Sequence, residues 1–176
     1  TLFSATLQPM HYHADLLGLP DDHVTLDVAS PFSAQQLQVQ IARHSSTRYA
    51  HRAQAIEPMV RLMAEQFVAR PGNYLAFFSS YEYLQQVADA FAQRHPKITH
   101  WRQSRRMGEA QQREFLEQFT ETSAGIGFAV LGGAFAEGID LPGRRLVGAF
   151  VSTLGLPQVN PVNEQIRQRM QLLFGA

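Results

Sequence analysis

The apolar positions of this chain follow two periods, and the switches between them mark its elements. From about Arg52 to Ala69, Ile56, Met59, Val60, Met63 and Phe67 recur at three- and four-residue steps, which predicts an amphipathic helix. Pro58 falls in the first turns of that helix, where a missing N–H costs least. A Pro-Gly turn then leads into "NYLAFFSS", a nearly continuous apolar run that predicts a strand buried on both faces of a parallel sheet. Ser80 is the expected N-cap of the next helix, whose buried stripe is Leu84, Val87, Ala88 and Phe91. A strand in "KITHW", a helix in "GEAQQREFLEQF", a buried strand in "IGFAVLG" and a third apolar strand in "RLVGAFVS" follow. The last helix, "NPVNEQIRQRMQLLF", has Asn160 as N-cap and Pro161 at its first position.

Upstream, the pattern predicts a short helix ending at Gly18, a Pro-Asp-Asp turn, and a strand over His23–Ala29. "LQVQIAR", Leu37 to Arg43, alternates apolar and polar residues and reads as a half-buried or edge strand. "ARHSSTRYAHRAQ" reads as a loop running into the long helix. Strands alternating with helices imply an α/β fold: a mostly parallel sheet, right-handed crossovers, and helices on both faces. Ligands of such sheets meet the loops at the carboxyl ends of the strands. Three loops qualify: Ser79–Tyr81, Trp101–Arg106 and Gly132–Asp140.

Composition narrows the classes. At 176 residues and 45% hydrophobic, the chain can bury one sizeable core. Fifteen Lys and Arg balance fifteen Asp and Glu, which excludes a generally basic coat and leaves room for a local basic stripe. With no cysteine there is no disulfide, Cys-ligated zinc or iron–sulfur cluster in this stretch. The seven histidines show no metal-binding spacing, and His11 and His13 read as surface residues. No apolar run reaches the length of a membrane span, and the start lacks the regions of a signal peptide. Both ends stop in mid-pattern, so the chain is read as a piece excised from a larger protein.

Each loop has a chemical reading and a plain one. Gly132 and Gly133 end a buried strand, where backbone N–H groups can approach a phosphate. Glu137 and Asp140 put two carboxylates on the following turn; they would repel a phosphate but suit a ribose hydroxyl, a cation or a partner arginine. The plain reading is a tight turn with capping acids. In "FFSSYEYL", Ser79, Ser80 and Tyr81 offer hydroxyls at a helix N-terminus, which suits a nucleic-acid backbone; the plain reading is a helix cap beside an amphipathic tyrosine. In "WRQSRRMG", Trp101 stands beside Arg102, Gln103, Arg105 and Arg106, an aromatic-basic mixture suited to a single strand; the alternative is a solvated loop. All three loops share one rim of the sheet.

In order, the chain reads "FSATLQP", "LAFFSSYEYL" and "LGGAFAEGIDLPGRRLVGAFVSTLGLPQ". This combination resembles the second motor lobe, the C-terminal helicase domain, of the superfamily 2 DNA helicases of the XPD/DinG type, over essentially the whole chain. The resemblance implies a RecA-like (P-loop NTPase-like) lobe. Residues 1–22 would be a motif III-like segment and linker from the first lobe, and 23–176 the second lobe, truncated before motif VI. It implies an ATP-driven 5′-to-3′ motor of DNA repair, working in the cytoplasm on single-stranded DNA and duplex junctions. ATP and Mg²⁺ would be held mainly by a first lobe, which explains why no G-x-x-x-x-G-K-[ST] occurs here.

Carried over by motif, Ser4, Ala5 and Thr6 match motif III, which couples hydrolysis to DNA. Phe77 to Tyr81 matches motif IV, near the DNA path. Gly132 to Gly138 and Asp140 match motif V, with Gly132 and Gly133 on the DNA side and Glu137, Gly138 and Asp140 on the nucleotide side. The chain departs from the family in motif VI: "QIRQRM", Gln165 to Met170, lacks the Gly-Arg core of Q-x-x-G-R-x-x-R. The family's iron–sulfur cluster, where one occurs, lies in an insertion of lobe one. The fragment alone is therefore expected to be inactive. The competing readings are a stand-alone doubly wound binding or hydrolase domain, for which no G-x-S-x-G or G-x-G-x-x-G is found, and a degenerate RecA-like interaction scaffold.

Overall fold

A computed structural model describes residues 1–5, 7–43, 45–46, 48–153 and 160–174. They fall into two compact units, Ile41–Leu156 and a smaller one formed by Thr1–Gln40 with Pro157–Ala176. The larger unit carries α2 (Arg52–Ala69), β1 (Asn73–Phe78), α3 (Tyr81–Arg94), β2 (His100–Arg102), α4 (Glu109–Glu117), β3 (Gly125–Val130) and β4 (Gly148–Val151). The smaller carries α1 (Met10–Leu17) and α5 (Pro161–Phe174).

The four strands form one parallel sheet in the order β2-β3-β1-β4. The two continuous apolar runs, β1 and β3, occupy its middle, because a central strand must be buried on both faces. The pleat sorts their side chains. Tyr74, Ala76, Phe78, Ile126 and Phe128 face a cluster with Val60 and Met63 of α2 and Leu84, Val87 and Phe91 of α3. Leu75 and Ala129 face the opposite cluster, with Phe115 of α4, Phe119 and Phe135. Helices therefore cover both faces, as the alternation predicts. Phe128 sits at the centre of the first cluster, 5.8 Å from the Phe78 ring and 5.6 Å from Phe91. Each such aromatic pair adds roughly 0.5–1.5 kcal/mol beyond the area it buries.

Local signals act where expected. Ser80 Oγ accepts the Tyr83 N–H at 3.3 Å and starts α3. Pro58 lies inside α2, which continues past it to Ala69. An ion pair from Arg94 to Glu57 ties the end of α3 to α2. In the smaller unit, α1 ends where Gly18 takes a left-handed φ of 62°. Asn160 Oδ1 accepts the Asn163 N–H at 2.8 Å at the head of α5. Tyr12 of α1 meets Phe174 of α5 edge-on at 4.9 Å.

Two expected strands do not form. His23–Ala29 and Leu37–Arg43 are not strands among the described residues. Their apolar side chains stand in solvent, with Val24 93% and Ile41 80% exposed. Alternation supplies the side chains of a strand, but a strand exists only when a neighbour completes its ladder. The last two strands are also shorter than their apolar runs: "KITHW" becomes His100–Arg102, and "RLVGAFVS" yields Gly148–Val151 after a single 3-10 turn at Gly143–Arg145.

Candidate functional site

Register decides where the loops meet. Phe78 pairs with Val130, Arg102 with Phe128, and Phe77 with Val151, so the carboxyl ends of all four strands lie level. Ser79, Gln103, Leu131 and Ser152 consequently leave the sheet along one rim.

Gln103 is the joint of that rim. Only 3% exposed, it accepts the Val130 N–H on its side-chain oxygen at 2.8 Å and donates its amide to the Tyr81 hydroxyl at 2.9 Å. A Cβ on Gly133 would come 3.5 Å from its amide nitrogen and 3.1 Å from the Val130 carbonyl, so glycine suits the crowded start of the loop. One buried side chain thus connects the motif IV-like turn to the motif V-like loop. The sequence marks Gln103 only as a neighbour of arginines, because a single amide carries no periodic signal.

The arginines divide. Arg102 is held within the domain: it pairs with Asp89 of α3 and donates to the Ala88 carbonyl at 2.9 Å. Arg105 and Arg106 are exposed, and the Arg105 guanidinium lies 5.8 Å over the Tyr81 ring. Beside them opens a groove of about 390 Å³ lined by Tyr81, Glu82, Gln85, Gln86, Asp89 and Arg105. Trp101 turns away from the rim onto the opposite face of the sheet, 5.1 Å from Phe119.

The loop after β3 is anchored from below. Phe135 is buried 4.5 Å from Phe115, with Ile139 and Leu141 packed beside it. Gly132 and Gly138 take φ of 78° and 73°, a conformation that side-chain-bearing residues rarely adopt. Glu137, Gly138 and Asp140 are left exposed, and the two carboxylates make no hydrogen bond or ion pair among the described residues.

A second cluster, not singled out in the sequence, backs the rim. Arg52, at the start of α2, donates to Ser79 Oγ at 2.7 Å, and its guanidinium lies 5.2 Å over the Tyr49 ring and 5.1 Å over Tyr83. Burial pushes the Tyr83 phenol above its ordinary value, and the Arg52 charge draws it partly back. Ser4 and Ala5 lie exposed in the smaller unit, and Thr6 lies outside the described residues.

The donor set at this rim does not fit a triphosphate cradle or a magnesium site. The loop after β3 ends in two uncommitted carboxylates, which repel phosphate. Among the described residues, no three His, Asp or Glu side chains converge to hold a metal.

A model of the helicase C-terminal domain matches residues 63–175 of this chain. The chain belongs to that family. A comparison with curated proteins finds no match. The fold is accordingly a RecA-like α/β lobe, a C-terminal helicase lobe, and the rim from Ser79 to Asp140 falls wholly within the matched stretch. Ser4, Ala5, Thr6 and Arg52 precede it. Among the described residues, no helix of this helicase lobe is long and apolar enough to cross a membrane.

Proposed function

We propose that this helicase lobe is the second motor lobe of an ATP-dependent 5′-to-3′ DNA helicase of the XPD/DinG type, working in the cytoplasm. It would couple ATP hydrolysis at an interface with a first lobe to movement along single-stranded DNA. One observation carries the reading: a single level rim presents exposed arginines beside Tyr81 at one loop and two unpartnered carboxylates at another. The arginine side, with Ser79, Ser80 and Tyr81, suits a sugar-phosphate backbone. Glu137 and Asp140 suit acceptance from a ribose hydroxyl or from an arginine of a neighbouring lobe. ATP and Mg²⁺ would be held chiefly by that first lobe, and this chain supplies orientation and acceptor groups.

The test is direct. The isolated chain should bind single-stranded DNA weakly and with strong salt dependence, and should show no ATP turnover above background, with or without DNA. A chain carrying both lobes should displace a strand from a duplex with a 5′ tail and not from one with a 3′ tail. Robust turnover by the isolated chain, or binding insensitive to salt, would sink the reading.

A further inference from the structure

Three consecutive residues at the β1–α3 turn carry hydroxyls, and each hydroxyl oxygen already accepts a hydrogen bond from within the larger unit. Ser79 Oγ accepts from Arg52 Nη2 at 2.7 Å, Ser80 Oγ from the Tyr83 N–H at 3.3 Å, and the Tyr81 hydroxyl from Gln103 Nε2 at 2.9 Å. Among the described residues, none of the three protons is donated to an acceptor.

The inner partners determine which way those protons face. Arginine has no acceptor atom, so Ser79 cannot donate back to Arg52. The Gln103 amide is oriented by Val130, whose N–H can bond only to the side-chain oxygen; Nε2 is therefore the atom that faces Tyr81. The protons of Ser79 and Tyr81 must turn outward, and the turn presents donors to whatever approaches. Arg52 adds a positive charge behind Ser79, with its Nε buried and unpartnered between two tyrosine rings.

We propose that Arg52 and Gln103 are positioning residues that turn the Ser79 and Tyr81 hydroxyls outward as donors, so that this turn grips phosphodiester oxygens of a single strand. A phosphodiester offers only acceptors, whereas base edges mix donors and acceptors. Neither Arg52 nor Gln103 touches the strand. The inference rests on the DNA reading above and adds to it that the turn reads backbone and not bases.

Fluorescence anisotropy with a labelled oligothymidylate and with an abasic oligodeoxynucleotide of the same length tests it, with the thermal midpoint checking the fold of each variant. Tyr81→Phe keeps the ring and removes only the hydroxyl. It should raise Kd roughly three- to tenfold, equally on both oligonucleotides, as loss of one hydrogen bond predicts. Gln103→Glu can accept from both Val130 N–H and the Tyr81 hydroxyl, turning the phenol proton inward. It should weaken binding at least as much as Tyr81→Phe, and add much less in the Tyr81→Phe background. A Tyr81→Phe loss confined to oligothymidylate would overturn the proposal, because Tyr81 would then be reading bases. Equal damage from Gln103→Glu with and without the Tyr81 hydroxyl would also overturn it. If Gln103→Glu fails to fold, Tyr81→Phe and Ser79→Ala on the abasic strand decide the matter. Wild-type protein that binds neither oligonucleotide removes the DNA reading and this inference with it.

Discussion

The ring of Phe119 lies where a side chain on Gly127 would project. A Cβ at that position would come within 2.5 Å of Phe119 Cζ and 3.0 Å of Phe115 Cζ. Phe119 is fully buried, so the ring has no solvent to swing into. The middle strand β3 and the aromatic cluster beneath the motif V-like loop are thus fitted around a missing methyl group.

Gly127→Ala should destabilise the protein by about 1–3 kcal/mol, the usual range for overpacking a filled core. Urea unfolding should show a lower midpoint with an unchanged slope. An unshifted midpoint would mean that the cluster can relax around the methyl group.

Tyr83→Phe is expected to act the other way. The Tyr83 hydroxyl is buried without a partner, and a group of that kind carries an uncompensated desolvation penalty. Its removal should leave stability unchanged or raise it by up to about 1 kcal/mol. The pH dependence follows from the raised phenol pKa. A group whose folded pKa lies above its unfolded value stabilises fully below that value and loses the contribution as pH rises through the folded pKa. Wild-type protein should therefore lose this stability as pH climbs above 10.0, and Tyr83→Phe should not share the loss. Parallel alkaline denaturation curves for the two proteins would refute the assignment.

Arg102 and its neighbours should separate cleanly. Arg102→Ala removes the pair with Asp89 and the hydrogen bond to Ala88, which together are worth roughly 1–2 kcal/mol of stability. Its effect on single-strand affinity should be small. Replacing Arg105 and Arg106 together by Ala should leave the melting temperature in place. That pair should instead weaken binding to all sequences and flatten the salt dependence by about one unit of slope. Reversed outcomes would show that Arg102 faces the strand.

Asp140→Asn keeps the size of a side chain that is exposed and unpartnered, so stability should change by less than about 0.5 kcal/mol. In a motor carrying both lobes, loss of a charged hydrogen bond should lower ATPase and unwinding together, by on the order of ten- to a hundredfold, while single-strand binding persists. Loss of DNA binding with ATPase intact would move Asp140 to the DNA track.

Local chemistry is what this sequence determines alone. Continuous apolar runs at Asn73–Phe78 and Gly125–Val130 specify the two central strands, because nothing but burial on both faces accommodates them. Helical spacing and the caps at Ser80 and Asn160 place α2, α3 and α5, since those signals act within a few residues. The glycines of the loop after β3 were legible for the same reason: positive φ is a property of the residue itself. Tertiary structure alone decided what depends on a distant partner. Alternation at His23–Ala29 and Leu37–Arg43 describes strands that found no ladder, because pairing is a property of two segments. Arg102 and Arg105 look alike in sequence, and only the packing of β2 against α3 commits one to Asp89 and leaves the other exposed. Gln103 becomes the joint between two loops, and Arg52 the support of Ser79, through contacts that span 27 residues of chain. A hydrogen bond at that range leaves no periodic trace in sequence, since its strength depends on where the fold carries its two ends.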